Sequence, residues 1–284
     1  MKEDIEAFLE YLATKKDCSQ NTLAAYRNDL GQLIAYIEAE RAKGIIKSSS
    51  ELLKSYLLSL REKRYSPATV ARKIASAKSF FKFMVDSGKL RENPTQNLVS
   101  PRVAKHVPRF LSPLEYHHLL AEPAKLSTPG AKRDIVMLEL LYATGLRASE
   151  LVSLNVKDID LGRACVCCVH GGSKRRIPFD HHINQLLRNF LKNDRLDLLY
   201  DEKEEALFLN RRGGRLTRQG FWQIVKNHAS KAGLSTKITP HILRHSFATR
   251  KLQGGADLQS IQQALGHAYI SSTKIYKQSS SSLR

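Results

Sequence analysis

From residue 1 to about residue 90 the chain spaces its apolar side chains as helices do and nowhere alternates them as a half-buried strand would. Ile5, Phe8, Leu9 and Leu12 fall at i, i+3, i+4 and i+7. Leu23, Tyr26, Leu30, Leu33, Ile34 and Ile37 repeat the pattern behind a candidate N-cap at Ser19, and Leu52, Leu53, Tyr56, Leu57 and Leu60 supply a further stripe. Ser66-Pro67 then opens a helix with Val70, Ile74, Ala77, Phe81 and Val85 inward, closing near Gly88. An apolar stripe must be buried against another, so these segments predict a small bundle of four short helices.

The bundle uses only part of 284 residues, and at ~150 residues per domain a second module is expected. Asn93-Pro94 closes the first. Residues 94–109 lack periodicity and hold Pro94, Pro101 and Pro108 together with Arg102, Lys105 and Arg109, the pattern of a basic linker. Residues 1–93, 94–109 and 110–284 are therefore read as helical domain, linker and second domain. Charge is unevenly shared: residues 1–100 carry 17 basic and 12 acidic side chains, the remainder 29 and 15. The total of +19 favours a polyanionic partner, nucleic acid before an anionic membrane surface.

Other classes recede on the same evidence. No stretch approaches the ~18 uninterrupted apolar residues of a membrane span, and Lys2, Glu3 and Asp4 lead into an amphipathic pattern where a secretory signal would have an unbroken apolar core. A cytoplasmic protein with no membrane partner is expected. Of Cys18, Cys165, Cys167 and Cys168, three lie in one strand-like run, where neighbouring side chains face opposite sides, which reads as reduced thiols.

In the second module a helix follows Ser112-Pro113, and a stronger one runs through Ile135, Leu138, Leu141 and Tyr142 until Thr144-Gly145 breaks it. Residues 148–154 read as a short helix. Cys165 to Val169, a Gly171-Gly172 turn and Arg175 to Phe179 read as a hairpin. Helical patterns return at about 182–192, 217–232, 241–253 and 257–265, with a short one near 271–278.

Three segments of this module carry polar, reactive residues that packing does not call for. In Thr144-Gly145-Leu146-Arg147-Ala148-Ser149-Glu150-Leu151, Arg147 sits past a glycine turn at a helix start, where a guanidinium and backbone N–H groups can hold phosphate. The bland alternative is an Arg147–Glu150 surface pair. In Thr239-Pro240-His241-Ile242-Leu243-Arg244-His245-Ser246-Phe247-Ala248-Thr249, His241 and Arg244 share one helix face, joining an acid/base group to a phosphate clamp. His241 and His245 could instead ligate a metal, but the string lacks the Glu of H-E-x-x-H and places cationic Arg244 between them. In Leu265-Gly266-His267-Ala268-Tyr269-Ile270-Ser271-Ser272-Thr273-Lys274-Ile275-Tyr276, an apolar stripe stops at Gly266, His267 emerges at the helix end and Tyr276 follows nine residues later.

Taken in order, G-L-R-x-S-E-L, P-H-x-L-R-H-x-F-A-T, L-G-H and a distal tyrosine resemble the tyrosine recombinases, the Xer-like and phage-integrase-like site-specific recombinases, over nearly the whole chain. The resemblance implies a mainly α protein: an N-terminal four-helix SAM-like core-binding domain that clamps DNA, and an α-rich catalytic domain with a small antiparallel β element. By it Arg147, His241, Arg244, His267 and Tyr276 take the catalytic positions, Tyr276 as nucleophile, with Glu150 orienting the site. It further implies double-stranded DNA with a specific recombination site as partner, a tetramer on two duplexes, a 3′-phosphotyrosyl intermediate, and neither cofactor nor metal. Dimer resolution in the Xer manner is the expected role; integration of a phage or mobile element, or a DNA-binding protein with a dead site on this fold, are the alternatives.

The chemistry suits these residue types. Attack on a phosphodiester builds negative charge on the non-bridging oxygens, which Arg147 and Arg244 can neutralise. A tyrosine hydroxyl, with a reference pKa near ~10, needs cationic surroundings and a base such as His241. One departure stands out. The resembled family carries a general-acid lysine in a G-K-G-x-K-like hairpin turn, where this chain has His170-Gly171-Gly172-Ser173-Lys174-Arg175-Arg176. Lys174 is the one lysine in that turn and the candidate acid, although counting forward from Arg147 gives Gly171 and counting back from Pro178 gives His170. An exposed lysine on a DNA phosphate is the competing reading. The tail from Lys277 to Arg284, with four consecutive serines and one apolar residue, lacks the apolar face of a docking helix.

Overall fold

A computed structural model describes residues 1–42, 49–103, 109–170, 173–235 and 238–266, which fall into two compact units, Met1–Lys105 and His106–Arg284. The first unit is built of α1 (Lys2–Lys15), α2 (Gln20–Ala42), α3 (Ser49–Glu62) and α4 (Pro67–Asp86). Ser66 starts α4 as the sequence predicts, its side chain accepting from the Thr69 N–H with Pro67 in the first turn. The four apolar stripes meet in one core around Phe8, Leu30, Leu33, Leu53, Ile74 and Phe80, and the Phe8 and Phe80 rings pack edge to face at 5.6 Å. Along α4 the buried row ends on Phe80, Phe81 and Met84, while Val85, expected inward, is half-buried. Leu98, beyond the helix, also enters this core.

The same core contains a buried charge cluster. Asp29 on α2 is 2% exposed and accepts from Lys73 Nζ at 3.0 Å, from Ser76 Oγ at 2.9 Å and from Arg72, all on α4. Lys73 Nζ also donates to Gln32 at 2.7 Å. The cluster ties α2 to α4 at one register, because each partner satisfies a charge that water cannot reach.

The second unit starts with α5 (Pro113–Ala124), whose Ser112 and Glu115 form a reciprocal capping box. Next comes α6 (Pro129–Thr144), the central helix: Met137, Leu138, Leu140 and Leu141 are fully buried, so it is covered on most sides. It ends at Gly145, whose φ of +63° is the left-handed conformation that glycine adopts without penalty. The chain turns through Leu146 into the short α7 (Ala148–Ser153).

A three-stranded antiparallel sheet follows, ordered β1 (Ile159–Asp160), β2 (Cys165–His170), β3 (Ser173–Pro178). The sequence pattern shows the β2–β3 hairpin and not the two-residue β1. Pairing of Cys168 with Arg175, and of Val169 with Lys174, fixes which side chains share a face. Cys168 is 4% exposed and Val169 is 60% exposed, so Arg175 lies on the inner face and Lys174 on the open one. All four cysteines are free thiols, and burial pushes the Cys165 and Cys168 thiols above their ordinary pKa.

Beyond the sheet run α8 (His181–Lys192), α9 (Arg218–Lys231), α10 (Pro240–Gln253) and α11 (Leu258–Leu265). Between α8 and α9, Ala206, Leu207, Phe208 and Leu209 are fully buried in irregular chain, held where Arg195 donates to the carbonyls of Glu204 and Ala206. The short helix expected near 271–278 lies outside the described residues.

Candidate active site

The site gathers where α6, α7, β3, α10 and α11 end or cross. Arg147 is the N-cap of α7, and Glu150, at the third helical position, folds back so that its Oε2 accepts from the Arg147 N–H at 2.7 Å. This is a capping box in which the carboxylate belongs to the site as well as to the helix. Glu150 is 3% exposed, and an isolated carboxylate there would be strongly disfavoured.

Three guanidiniums surround it. Arg147 Nη1 donates to Oε1 at 2.9 Å; Arg175 donates bidentately, Nη1 to Oε1 at 3.0 Å and Nη2 to Oε2 at 2.7 Å; Arg244 Nη1 stands 4.0 Å from Oε2. Burial alone would raise the Glu150 pKa, but hydrogen bonds from Arg175 and from the Arg147 backbone, backed by the guanidinium charges, hold it below the ordinary carboxylate value. Glu150 is therefore anionic, and three cations against one anion leave the pocket positive.

The arginines are also fixed by backbone carbonyls. Arg244, 4% exposed on α10, donates Nη1 to the Gly145 carbonyl and Nη2 to that of Leu265, each at 2.6 Å. Arg147 Nη2 donates to the Gly266 carbonyl at 2.8 Å. The turn that closes α11 is thus held by Arg244 at Leu265 and by Arg147 at Gly266, immediately before His267. Gly266 itself has φ +61°, and a Cβ on it would stand 2.4 Å from Arg175 Nη1. Glycine is required there by conformation and by space alike.

His241 opens α10 after Pro240, with its ring packed edge to face on His245 at 4.1 Å between centroids. Part of the residue is open to solvent, yet desolvation by its surroundings and then the Arg244 charge hold its pKa below the ordinary histidine value. The neutral ring therefore dominates at neutral pH, as a proton acceptor requires. Among the described residues no three His, Cys, Asp or Glu side chains gather as metal ligands. Ser246 fixes the start of the unit against α10, its Oγ accepting from the Leu111 N–H at 2.8 Å.

The sequence-based candidates divide clearly. Arg147, Arg244 and Glu150 come together, and His241 lies one helical turn before Arg244 on α10. Lys174 is exposed on the open face of β3, the face opposite to Arg175, and does not join the cluster. His267 and Tyr276 lie outside the described residues, as do Gly171, Gly172 and the tail. Arg175, which the motifs do not single out, belongs to the site. The signal that finds it is strand alternation: the residue paired with a buried cysteine must face inward.

Comparison with known proteins agrees with this geometry. Residues 109–282 match the model of the phage integrase family, and residues 5–88 that of the phage integrase N-terminal SAM-like domain. The tyrosine recombinase XerC of Roseiflexus sp. (strain RS-1) is 45% identical over 279 residues, covering 97% of this chain and 89% of that protein. The tyrosine recombinase XerD of Oceanobacillus iheyensis is 40% identical over 275 residues, covering 96% and 92%. The fold matches that of the XerH site-specific recombinase in a post-cleavage complex, with a TM-score of 0.75 at 23% identity over 99% of this chain and 92% of that one. The chain belongs to the phage integrase family of tyrosine recombinases. It is a site-specific tyrosine recombinase with Xer proteins as its homologues, mainly α, with a SAM-like N-terminal domain and a catalytic domain carrying a small antiparallel sheet. Among the described residues no helix is long and apolar enough to cross a membrane.

Proposed function

We propose that the arginine cluster binds the scissile phosphodiester of duplex DNA and that Tyr276 cleaves it. The observation that carries this reading is the anchoring of Arg147 and Arg244 on the consecutive carbonyls of Gly266 and Leu265, around the buried Glu150 carboxylate and one residue before His267 in the sequence. The Tyr276 oxygen attacks phosphorus, the new P–O bond forms a 3′-phosphotyrosyl link, and the bond to the 5′-oxygen breaks, the leaving oxygen taking up a proton from solvent to become a free 5′-hydroxyl. Neutral His241 accepts the tyrosine proton, His267 hydrogen-bonds a non-bridging oxygen, and the arginines balance the charge that grows there. The link conserves the phosphoester bond, so a 5′-hydroxyl of another strand reverses the step without a nucleotide cofactor.

The relatives support a reading of the wider role. Homology to XerC and XerD proteins along 96–97% of the chain supports dimer resolution in the cytoplasm, with a tetramer assembling on two duplexes that carry the specific site. Residues 1–93 act as the DNA clamp, 94–109 as the basic linker and 110–284 as the catalytic domain. Lys174, on the open face of the hairpin, fits a contact to a DNA phosphate better than proton donation inside the pocket. A nicked suicide duplex tests the assignment: wild-type protein accumulates a covalent adduct, and Tyr276→Phe binds the same DNA without forming one. Normal adduct formation by Tyr276→Phe would overturn it and direct attention to Tyr269.

A further inference from the structure

We propose that Arg175 is a positioning residue that occupies the Glu150 carboxylate so that Arg147 and Arg244 stay available to phosphate. The inference rests on the reading of those two arginines as the phosphate clamp. A carboxylate offers about four acceptor positions. At Glu150 one goes to the Arg147 backbone, one to Arg147 Nη1 and two to the Arg175 fork. With Arg175 removed, the vacated oxygens face two remaining guanidiniums, Arg147 in contact and Arg244 Nη1 at 4.0 Å, in a pocket where charge attraction is weakly screened. Both would be drawn toward the carboxylate and away from the substrate phosphate.

The placement of Arg175 is specific to this task. Its strand partner Cys168 is buried, which directs its side chain inward, whereas the flanking Lys174 pairs with exposed Val169 and cannot take its place. Space for its guanidinium exists only because Gly266 lacks a Cβ, which would stand 2.4 Å from Nη1 and 3.0 Å from Cζ. Its Nε is buried with no hydrogen-bond partner among the described residues. Both terminal nitrogens serve Glu150, the arrangement expected if the carboxylate, and not general packing, determines its position. Arg175 also lies against the residue that precedes His267, so its loss would disturb the carbonyl that anchors Arg147.

The test is single-turnover cleavage of a nicked suicide duplex by Arg175→Gln, Glu150→Gln, the double variant and Arg147→Gln, with duplex affinity measured in parallel. Arg175→Gln is expected to cleave roughly 100-fold more slowly, the scale on which an ångström of misplacement of the reacting groups slows the chemistry, with affinity nearly unchanged. Adding Glu150→Gln removes the charge that Arg175 restrains and should restore cleavage about tenfold, a non-additivity typical of contacting groups. A merely structural Arg175 gives no such rescue: the double variant would cleave as slowly as Arg175→Gln or more slowly. Cleavage by Arg175→Gln near the wild-type rate, or absence of rescue, overturns the inference. Should Arg175→Gln fail to fold, Arg175→Lys, which keeps the charge but loses the fork, is compared with and without Glu150→Gln on the same criterion. Arg147→Gln separates the two levels. If it cleaves normally the clamp reading itself falls; if it is inactive while Arg175→Gln is active, only the role of Arg175 falls.

Discussion

Replacing Gly145 with alanine isolates what the end of α6 contributes to stability and to the site. Its φ of +63° is disfavoured for an L-residue, and an added Cβ would stand 2.4 Å from Phe247 Cδ1 and 2.9 Å from Leu265 Cδ2. Phe247 is 2% exposed and Leu265 fully buried, so neither can swing aside into solvent. The left-handed conformation costs about 1–2 kcal/mol, and overpacking a rigid core adds about 1–3 kcal/mol. Gly233 provides the control within the same unit: its φ is +66°, but a Cβ there meets nothing within 4 Å. Gly233→Ala should therefore show the conformational part alone, about 1–2 kcal/mol. For a unit of this size each kcal/mol moves the melting temperature by about 2–4 °C, which puts Gly145→Ala roughly 2–12 °C below Gly233→Ala. Thermal and urea unfolding measure the difference. Because the Gly145 carbonyl accepts from Arg244 at 2.6 Å, cleavage should also drop in Gly145→Ala and not in Gly233→Ala. Equal melting temperatures for the two variants would refute the packing account of this turn.

Further expectations follow from other buried charges and from the hairpin. Asp29→Ala leaves Lys73 charged and buried between α2 and α4, and should lower the stability of the first unit by about 3–5 kcal/mol in urea titrations; a loss below about 1 kcal/mol would mean that the cluster is solvated. Glu150 has a folded pKa below its ordinary value of 4.5, so its stabilising effect is complete above that pH and fades as pH falls through the depressed value. Melting temperatures recorded from pH 6 to pH 3 should consequently fall less steeply in Glu150→Gln than in the wild type, and parallel curves would contradict the assigned ion pairs. Lys174→Ala should slow cleavage equally on 5′-oxygen and 5′-phosphorothiolate duplexes and flatten the salt dependence of binding by about one unit of log K per log salt. A loss confined to the 5′-oxygen substrate would make Lys174 the proton donor after all.

Much of the architecture is legible in the sequence because it depends on local physics. The bundle follows from apolar spacing, the start of α4 from Ser66-Pro67, and the break after α6 from the conformational freedom of Gly145. Arg147 and Arg244 are legible through their motifs. What the sequence hides are pairings between distant elements. Asp29 reads as one more polar residue on α2 until the register with α4 brings Lys73, Arg72 and Ser76 to it. Residues 206–209 form an apolar run too short for periodicity to distinguish strand from helix, and they adopt neither as a regular element. Arg175 is hidden for a subtler reason. In a basic turn, Lys174 and Arg176 look equivalent to it, and only the exact hairpin pairing shows that Arg175 alone of the three faces Glu150.

The most direct test of the central claim is to map the protein–DNA link on a nicked suicide duplex in the presence of EDTA. A pocket whose positive charge comes from Arg147, Arg175 and Arg244 predicts an adduct that forms without divalent metal, survives denaturation, and yields a single DNA-modified peptide linked through Tyr276. An adduct on another tyrosine, or cleavage that leaves no protein on the DNA and stops in EDTA, would contradict it.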